Sequence, residues 1–255
     1  SQNSGGSVFI GKNAGPSSVN SATSSVIIGG DAGRTSASYG IIDSVIVGKN
    51  SGGSLKSSNS VIIGKDAGSS GYSVGKTDSV LIGKASKGDD KCVSIGTAAG
   101  DQDRTNAISI GHNTIGSSYG ISIGIGAGVS TGPSGSYNIH IGQNAGKNSG
   151  NSSDNIYIGN KAGNDMTSYG DNIFIGKSDG SPTTATGTVC IGATQKPMYS
   201  SSTLMNYCTF VGLYAGTSQD YAYTASNTKN TALGYYALKN SAASVANSTG
   251  IGADS

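Results

Sequence analysis

One five-position pattern runs along this chain from end to end: a small or polar residue, an aliphatic, a variable position, a second aliphatic, then glycine. Copies read Ser7-Val8-Phe9-Ile10-Gly11, Ser25-Val26-Ile27-Ile28-Gly29 and Ser44-Val45-Ile46-Val47-Gly48, and later Asn138 to Gly142 and Asn155 to Gly159. Asn230-Thr231-Ala232-Leu233-Gly234 and Ser248-Thr249-Gly250-Ile251-Gly252 are degenerate copies at the end. The closing glycines are Gly11, Gly29, Gly48, Gly64, Gly83, Gly96, Gly111, Gly124, Gly142, Gly159, Gly176, Gly192, Gly212, Gly234 and Gly252. They recur every 13 to 22 residues, with a mean of about 17. A single unit repeated at that period predicts a solenoid, in which stacked copies bury what one copy cannot.

Alternation with a period of two makes each copy a short strand. The flanking aliphatics, such as Ile156 and Ile158, share a face. They are Val or Ile in nearly every copy, so that face is expected to be the interior. The middle position runs through Phe9, Ile27, Ile46, Ile62, Leu81, Ser94, Ser109, Ser122, His140, Tyr157, Phe174, Cys190, Phe210, Ala232 and Gly250. So mixed a set is expected to face a second surface, apolar at some levels and wet at others.

A second signature, x-x-Ala-Gly, follows the core glycine, as at Ala14-Gly15, Ala32-Gly33, Ala67-Gly68, Ala145-Gly146, Ala162-Gly163 and Ala215-Gly216. Glycine permits positive φ or close backbone approach, and alanine fits a narrow interior. The predicted coil is a strand, a corner at the core glycine, a second short inward-facing piece and another corner. Ser-, Gly-, Asn- and Thr-rich connectors of variable length belong on exposed loops. Helix loses: no segment sustains apolar spacing of three and four, and each interior glycine costs a helix roughly 1 kcal/mol. Glycine does not recur every third residue as collagen requires, and the nine-residue calcium-binding repeat is absent.

The expected fold is therefore all-β: a parallel β-solenoid (β-helix or β-roll) of about 15 coils with a repeat of about 17 residues. At about 4.8 Å per coil the stack would be roughly 70 Å long, a stiff rod. Residues 1–192 carry the regular copies, and 193–255 carry irregular, tyrosine-rich ones as a candidate tip or receptor-contact region.

Composition adds exclusions. The 255 residues include 42 glycines, only 12% are charged, and the net charge is +2. Leu, Ile, Val and Phe make up about 18% of the chain, under the roughly 20% at which disorder becomes a candidate. The high net charge of disordered chains is missing, however, and the aliphatics are confined to fixed positions. So few cations exclude an electrostatic binder of nucleic acid. No apolar run approaches the length of a membrane-spanning helix, and no basic-then-apolar segment predicts a signal peptide. One chain alone is marginal: ordering each residue costs roughly 1–2 kcal/mol, and two buried aliphatics per coil return about 1.5–3 kcal/mol each. The apolar middle positions are expected to complete the burial against another copy, giving a homo-oligomer of cyclic symmetry.

The cores at 59–68 (NSVIIGKDAG), 138–146 (NIHIGQNAG) and 155–163 (NIYIGNKAG), and the stretch from Asn230 to Ser255, resemble repeats of bacteriophage and phage-like tail fibres. They also resemble the Ile-Gly-x-x-Ala/Ser repeats of trimeric autotransporter adhesin heads. The resemblance covers essentially the whole chain. The longer, more variable period sets it apart from the adhesin heads and favours the phage type. What the resemblance implies is a homotrimeric fibre used for host attachment. Its place would be extracellular, on the virion or alternatively on a bacterial cell surface. Its partners would be copies of itself, a host cell-surface glycan or protein, and other fibre or tail components. No cofactor, nucleic acid or membrane insertion is implied. Related fibres often continue into a C-terminal intramolecular chaperone that is cleaved after trimerisation; no such segment is expected before Ser255.

No catalytic or metal-binding constellation is expected. His112 and His140 are expected as surface or interface side chains, and no paired-histidine spacing suggests a metal. Copies of His140 around a threefold axis are the one arrangement that could hold an ion. Cys92, Cys190 and Cys208 are odd in number and lack a Cys-x-x-Cys spacing, so they are expected as partly buried small hydrophobes. Gly124-Ile125-Gly126-Ala127-Gly128 is a repeat copy rather than a phosphate loop, with no following Gly-Lys-Ser/Thr. Asp31, Asp66, Asp89, Asp90, Asp101 and Asp103 are expected in loops, whereas paired catalytic carboxylates require a cleft.

Tyrosine is the more informative residue. Seven of thirteen fall between Tyr199 and Tyr236, and a flat ring with a hydrogen-bonding tip suits recognition of sugar or protein. Tyr199, Tyr207, Tyr214, Tyr221 and Tyr223 are the candidate receptor contacts. Earlier tyrosines, including Tyr39, Tyr119 and Tyr169 in Ser-Tyr-Gly, are expected to cover the coil's flank. The expected function is a non-enzymatic attachment fibre. The alternatives are a pure spacer with its receptor site elsewhere, a polysaccharide-degrading tailspike and an ice-binding solenoid.

Overall fold

Each of the fifteen cores forms a three-residue strand. The structure, a computed structural model, describes residues 5–16, 22–34, 40–53, 57–69, 76–100, 105–129, 135–150, 152–166, 170–177, 184–192, 204–216, 226–238 and 246–253. The chain divides into two units, 1–119 and 120–255. In the first, Val8–Ile10, Val26–Ile28, Val45–Val47, Val61–Ile63, Val80–Ile82, Val93–Ile95 and Ile108–Ile110 stack in chain order. In the second, Ile121–Ile123, Ile139–Ile141, Ile156–Ile158, Ile173–Ile175, Val189–Ile191, Thr209–Val211, Thr231–Leu233 and Thr249–Ile251 do the same. Neighbours are parallel and pair core position with core position: Val8 with Val26 and Phe9 with Ile27, or His140 with Ser122 before it and Tyr157 after it. No helix occurs among the described residues. Both units are parallel β-solenoids, as the pattern predicts.

The two faces of the strands are the reverse of the expectation. The middle position is the interior: Ile27, Ile46, Ile62, Leu81, Ser94, Ser109, Ser122, His140, Tyr157, Phe174, Cys190, Phe210 and Ala232 are all buried. The flanking aliphatics point outward. Ile10 is 55% exposed and Val45, Ile63 and Ile191 are each 37% exposed. Parity explains the geometry. The small or polar residue before the strand shares the middle position's face, and the outward residues alternate with both. Uniformity at the flanks does not require burial. A row of β-branched residues packing along a ladder of like neighbours selects Val and Ile without an enclosed core.

Serine at the interior position goes with the shortest coils. The shortest coils, between the core glycines at 83, 96, 111 and 124, span 13 to 15 residues and carry Ser94, Ser109 and Ser122. There backbone fills the space: Gly116 N–H donates to Ser109 Oγ at 2.7 Å, and Ser86 Oγ donates to the Ser94 carbonyl at 2.9 Å. Coils of 17 to 18 residues enclose His140, Tyr157 and Phe174. Alanine of x-x-Ala-Gly points inward throughout, as expected, with Ala32, Ala67, Ala127, Ala145 and Ala162 buried. The glycine after it admits the interior ring. A Cβ at Gly163 would collide with the ring of Tyr157, and one at Gly216 would come within 2.7 Å of Phe210.

The core glycine is required by its neighbour one coil on. At Gly11, with φ +129°, a Cβ would lie 2.6 Å from the carbonyl oxygen of Gly29. The same close stacking recurs along the ladder, so a side chain at one level collides with backbone at the next.

The residue opening each core is a second, internal hydrogen-bond ladder. Ser25 Oγ accepts from Ser44 N–H at 3.2 Å, and Ser44 Oγ accepts from Ser60 N–H at 3.2 Å. In the second unit Asn138, Asn155 and Asn172 repeat this with amides. Asn155 Nδ2 donates to Asn138 Oδ1 at 3.0 Å, and Asn172 Nδ2 donates to Asn155 Oδ1 at 3.0 Å. Each side chain thereby satisfies buried polar groups that would otherwise be orphaned.

The described residues just before some cores form strands that the pattern does not predict. Ala22–Thr23, Ile41–Ile42, Ser57–Ser58 and Lys76–Thr77 form a short parallel sheet in the first unit, and Thr184–Thr186, Leu204–Asn206 and Ser226–Thr228 form one in the second. Each short strand precedes its core by two residues, a left-handed residue and the small buried one. Ser24 and Asp43 (φ 51° and 49°) show the left-handed corner.

Candidate functional site

Three of the five candidate tyrosines, Tyr199, Tyr221 and Tyr223, lie outside the described residues, as do Tyr39 and Tyr169. Tyr207 and Tyr214 are placed, and they occupy the two kinds of corner that build every coil. Tyr207 is the left-handed residue before the buried Cys208, the position held by Ser24, Asp43 and Asn59 in earlier coils. It is 62% exposed. The Cδ1–Cε1 side of its ring lies against Gly187, one coil back, where a Cβ would come within 2.8 Å of Tyr207 Cδ1. The expectation of rings laid over backbone on the flank fits this residue. Tyr119 and Tyr137 stand at the same corner and are likewise exposed.

Tyr214 stands in the turn after the core glycine, at the position of Asn13, Asp31, Asn50 and Asp66. In those coils the corner is a polar ladder: Asn13 Nδ2 donates to Asp31 at 3.0 Å and Asn50 Nδ2 to Asp66 at 3.0 Å. Asp31 is held below the usual carboxylate range by the hydrogen bond from Asn13, and then by that from Arg34. In the coils of Tyr214 and Tyr236 the ladder becomes aromatic. Tyr214 stacks on Tyr236 of the next coil, with centroids 4.8 Å apart and planes at 15°. Tyr235 packs against both, 6.3 Å from Tyr214 and 4.2 Å from Tyr236. Tyr236 N–H donates to the Leu213 carbonyl at 3.1 Å, which fixes the two turns in step. The sequence reading chose Tyr214 and omitted Tyr235 and Tyr236 from the contact set. The register points to Tyr236: Tyr214 and Tyr236 each stand two residues after a core glycine.

At these rings the left-handed corner of the repeat carries a large side chain. Tyr207, Tyr214 and Tyr236 have φ of 57°, 60° and 54°. Asn and Asp tolerate this region because their short side chains bond locally, whereas a bulky residue there is strained.

The other candidates are settled by position. His112 is exposed, as expected. His140 is not at a surface or interface: it is 2% exposed within its own coil, so copies of it cannot converge on an axis between chains. Its Nδ1 lies 3.2 Å from Ser122 Oγ, and its Nε2 is buried without a partner. Burial pushes its pKa down to about 4. Cys92, Cys190 and Cys208 are buried thiols, and burial pushes those of Cys190 and Cys208 up. Gly124 to Gly128 is the turn after Ile121–Ile123, with Ala127 buried. Asp31 and Asp66 pair with the asparagines above. Asp90 Oδ1 accepts from Thr77 N–H and Oγ1, each at 3.0 Å, and so joins two coils. Asp101 and Asp103 lie outside the described residues. Among the described residues no group of His, Cys, Asp and Glu could hold a metal ion, and no helix is long and apolar enough to cross a membrane. Comparison with known proteins finds no match among protein-family models, curated proteins or solved structures.

Proposed function

We propose that this chain is a structural and attachment fibre, built from copies of itself, that binds a host cell-surface glycan or protein through aromatic corners in its C-terminal coils. The observation that carries this reading is the stack of Tyr214 on Tyr236 with Tyr235 beside it. It replaces a polar corner ladder with aromatic surface, on backbone that disfavours large side chains. A sugar ring or an aliphatic side chain lies well on such a surface, and the hydroxyl tips supply direction. Repeat coils suit the task, since each holds its corner in register with the next. Several weak sites on joined chains then gain avidity through effective concentration.

The test is adsorption. The fluorescently labelled chain is titrated onto a panel of bacterial cells and onto their isolated surface polysaccharides, beside the Tyr214→Ala/Tyr236→Ala and Tyr207→Ala chains. The double variant is expected to lose at least tenfold in apparent affinity on the strain that binds. Unchanged adsorption sinks the aromatic site. A wild-type chain that binds no cell supports the spacer instead. Release of reducing ends from the polysaccharide would establish the tailspike alternative.

A further inference from the structure

We infer that the second unit holds a site for one internal water molecule, bounded by His140 Nε2, Ser152 Oγ and Tyr157 Oη. This goes beyond the fibre reading and does not depend on it. The three atoms are buried and make no hydrogen bond within the chain, and their residues are each no more than 2% exposed. Native interiors pair nearly all such groups with protein or with ordered water. Here two successive coils bring three of them to one place.

His140 and Tyr157 are register partners, and their rings stack 5.4 Å apart with planes at 17°. Each ring lies over the glycine of its own turn. A Cβ at Gly146 would strike His140 Cδ2 and Nε2, and one at Gly163 would strike Tyr157 Cδ2 and Cε2. Nε2 therefore stands at the place that Cε2 takes one coil on, and the phenol reaches further. Ser152 is beside the phenol's tip: burial raises the Tyr157 pKa, and the Ser152 side chain acts against that shift. Ser152 is fixed there by its backbone. Its N–H donates to the Gly150 carbonyl at 2.8 Å, and its carbonyl accepts from Asn138 Nδ2 at 2.9 Å. A water making two hydrogen bonds of about 2.8 Å spans about the ring spacing.

The contents of the two coils make the room. Gly142, Gly159 and Gly176 are each 17 residues apart, so equal lengths of chain enclose His140 and Tyr157. Seven residues after its core glycine, the Tyr157 level carries the buried Met166, and the His140 level carries the buried Ser149. Ser149 turns back on its own turn, its Oγ donating to the Gly146 carbonyl at 2.6 Å. Gly150 N–H donates to the Met166 carbonyl at 2.8 Å, which holds the two walls in register. The same frame thus surrounds an imidazole and a serine where the next coil has a phenol and a methionine. Buried waters typically make about three hydrogen bonds to groups that would otherwise lack them, and three are offered here. A neutral imidazole and two hydroxyls carry no net charge, which fits water and not an ion. With Ser122 Oγ 3.2 Å from His140 Nδ1, the water completes a polar chain across three coils.

The experiment joins a crystal structure of the whole chain with urea denaturation at pH 7. The crystal is expected to show one ordered water within about 3.2 Å of all three atoms. Tyr157 Oη bonded directly to Ser152 Oγ with no such water overturns the inference, and so does a side chain turned into its place. Tyr157→Phe and His140→Phe each keep a ring in the column and remove one partner of the water, so each is expected to lower the urea midpoint. A midpoint unchanged or raised in either variant means that the lost group had no partner, and overturns the inference. Because both act on one water, the double variant is expected to lose less than the sum of the single losses. Simple additivity assigns the two atoms to separate surroundings and overturns it as well. Where a variant fails to fold, the wild-type crystal decides alone.

Discussion

The imidazole of His140 lies parallel to the ring of Tyr157 one coil on, with centroids 5.4 Å apart and planes at 17°. Tyr157 continues the stack onto Phe174 at 5.5 Å and 12°. His140 is thus a member of an aromatic column inside the coil. It differs from its neighbours in one respect: it can take up a proton.

That difference makes stability depend on pH. The folded chain holds His140 neutral down to about pH 4, while an unfolded chain protonates it below its ordinary 6.5. Between those values the unfolded state binds the extra proton, so stability is full above pH 6.5 and falls as pH drops toward 4. At about 1.4 kcal/mol per pKa unit the loss approaches about 3 kcal/mol at the bottom of the window. His140→Phe keeps the column and removes the proton site. Urea denaturation midpoints at pH 7 and pH 4.5 should differ less for H140F than for the wild type. Equal differences would show that His140 titrates normally.

Glycine tolerance should divide sharply between adjacent positions. Gly29 has φ +137° and its absent Cβ would collide with the carbonyl of Gly48, whereas Gly30 has open space around it. Gly29→Ala must strain its own backbone and displace the next coil, at least about 2 kcal/mol of destabilisation. Gly30→Ala should be within about 0.5 kcal/mol of the wild type. Chemical denaturation of the two variants side by side checks this, and a Gly29→Ala chain as stable as Gly30→Ala would refute the stacked-glycine account.

The buried amide ladder predicts an ordering of substitutions. Asn155 donates to Asn138 Oδ1 and to the Ser153 carbonyl, and accepts from both the backbone and the side chain of Asn172. Asn155→Ala leaves the Asn172 N–H without its acceptor in the interior, costing about 1–3 kcal/mol. Asn155→Ser keeps an oxygen at the position where Ser25 and Ser44 do the same work. Thermal unfolding should rank wild type, then N155S, then N155A, and the reverse order of the two variants would mean that volume rather than hydrogen bonding governs the site.

The strand cores, their parallel register and the inward alanines were legible because a period of two and a fixed spacing to glycine translate directly into geometry. The facing of the strands was not. Ile156 and Ile158 are uniform across coils and outward, while Tyr157 is variable and buried. Composition at one position cannot distinguish a row selected by ladder packing from one selected by enclosure. The parity of Asn155 with Tyr157 carried the answer, since a buried amide ladder needs that face inside. The short sheets were hidden for a different reason: Ser57–Ser58 and Ser226–Thr228 have little strand propensity of their own. They pair because the corner before each core holds successive coils at ladder distance, which is a tertiary effect. The aromatic corner was half visible, in Tyr214 but not in its partner Tyr236.

The cysteines give a last, independent test of the interior. Cys190 occupies the inward middle position and Cys208 the small position that opens the next core, and both belong to the second unit's apolar core. Burial raises the Cys190 thiol well above its ordinary range, and the neighbouring Cys208 pushes in the same direction. Reaction with a disulfide reagent needs the thiolate, so a thiol that is both enclosed and hard to ionise is doubly protected. At pH 8 in native buffer the chain's three cysteines should be silent toward such a reagent for as long as the coils stay closed. They should then react with a time course that follows unfolding as denaturant is added. Fast labelling of Cys190 in native buffer, identified by peptide mass, would place the middle position on the surface and return the flanking aliphatics to the inside.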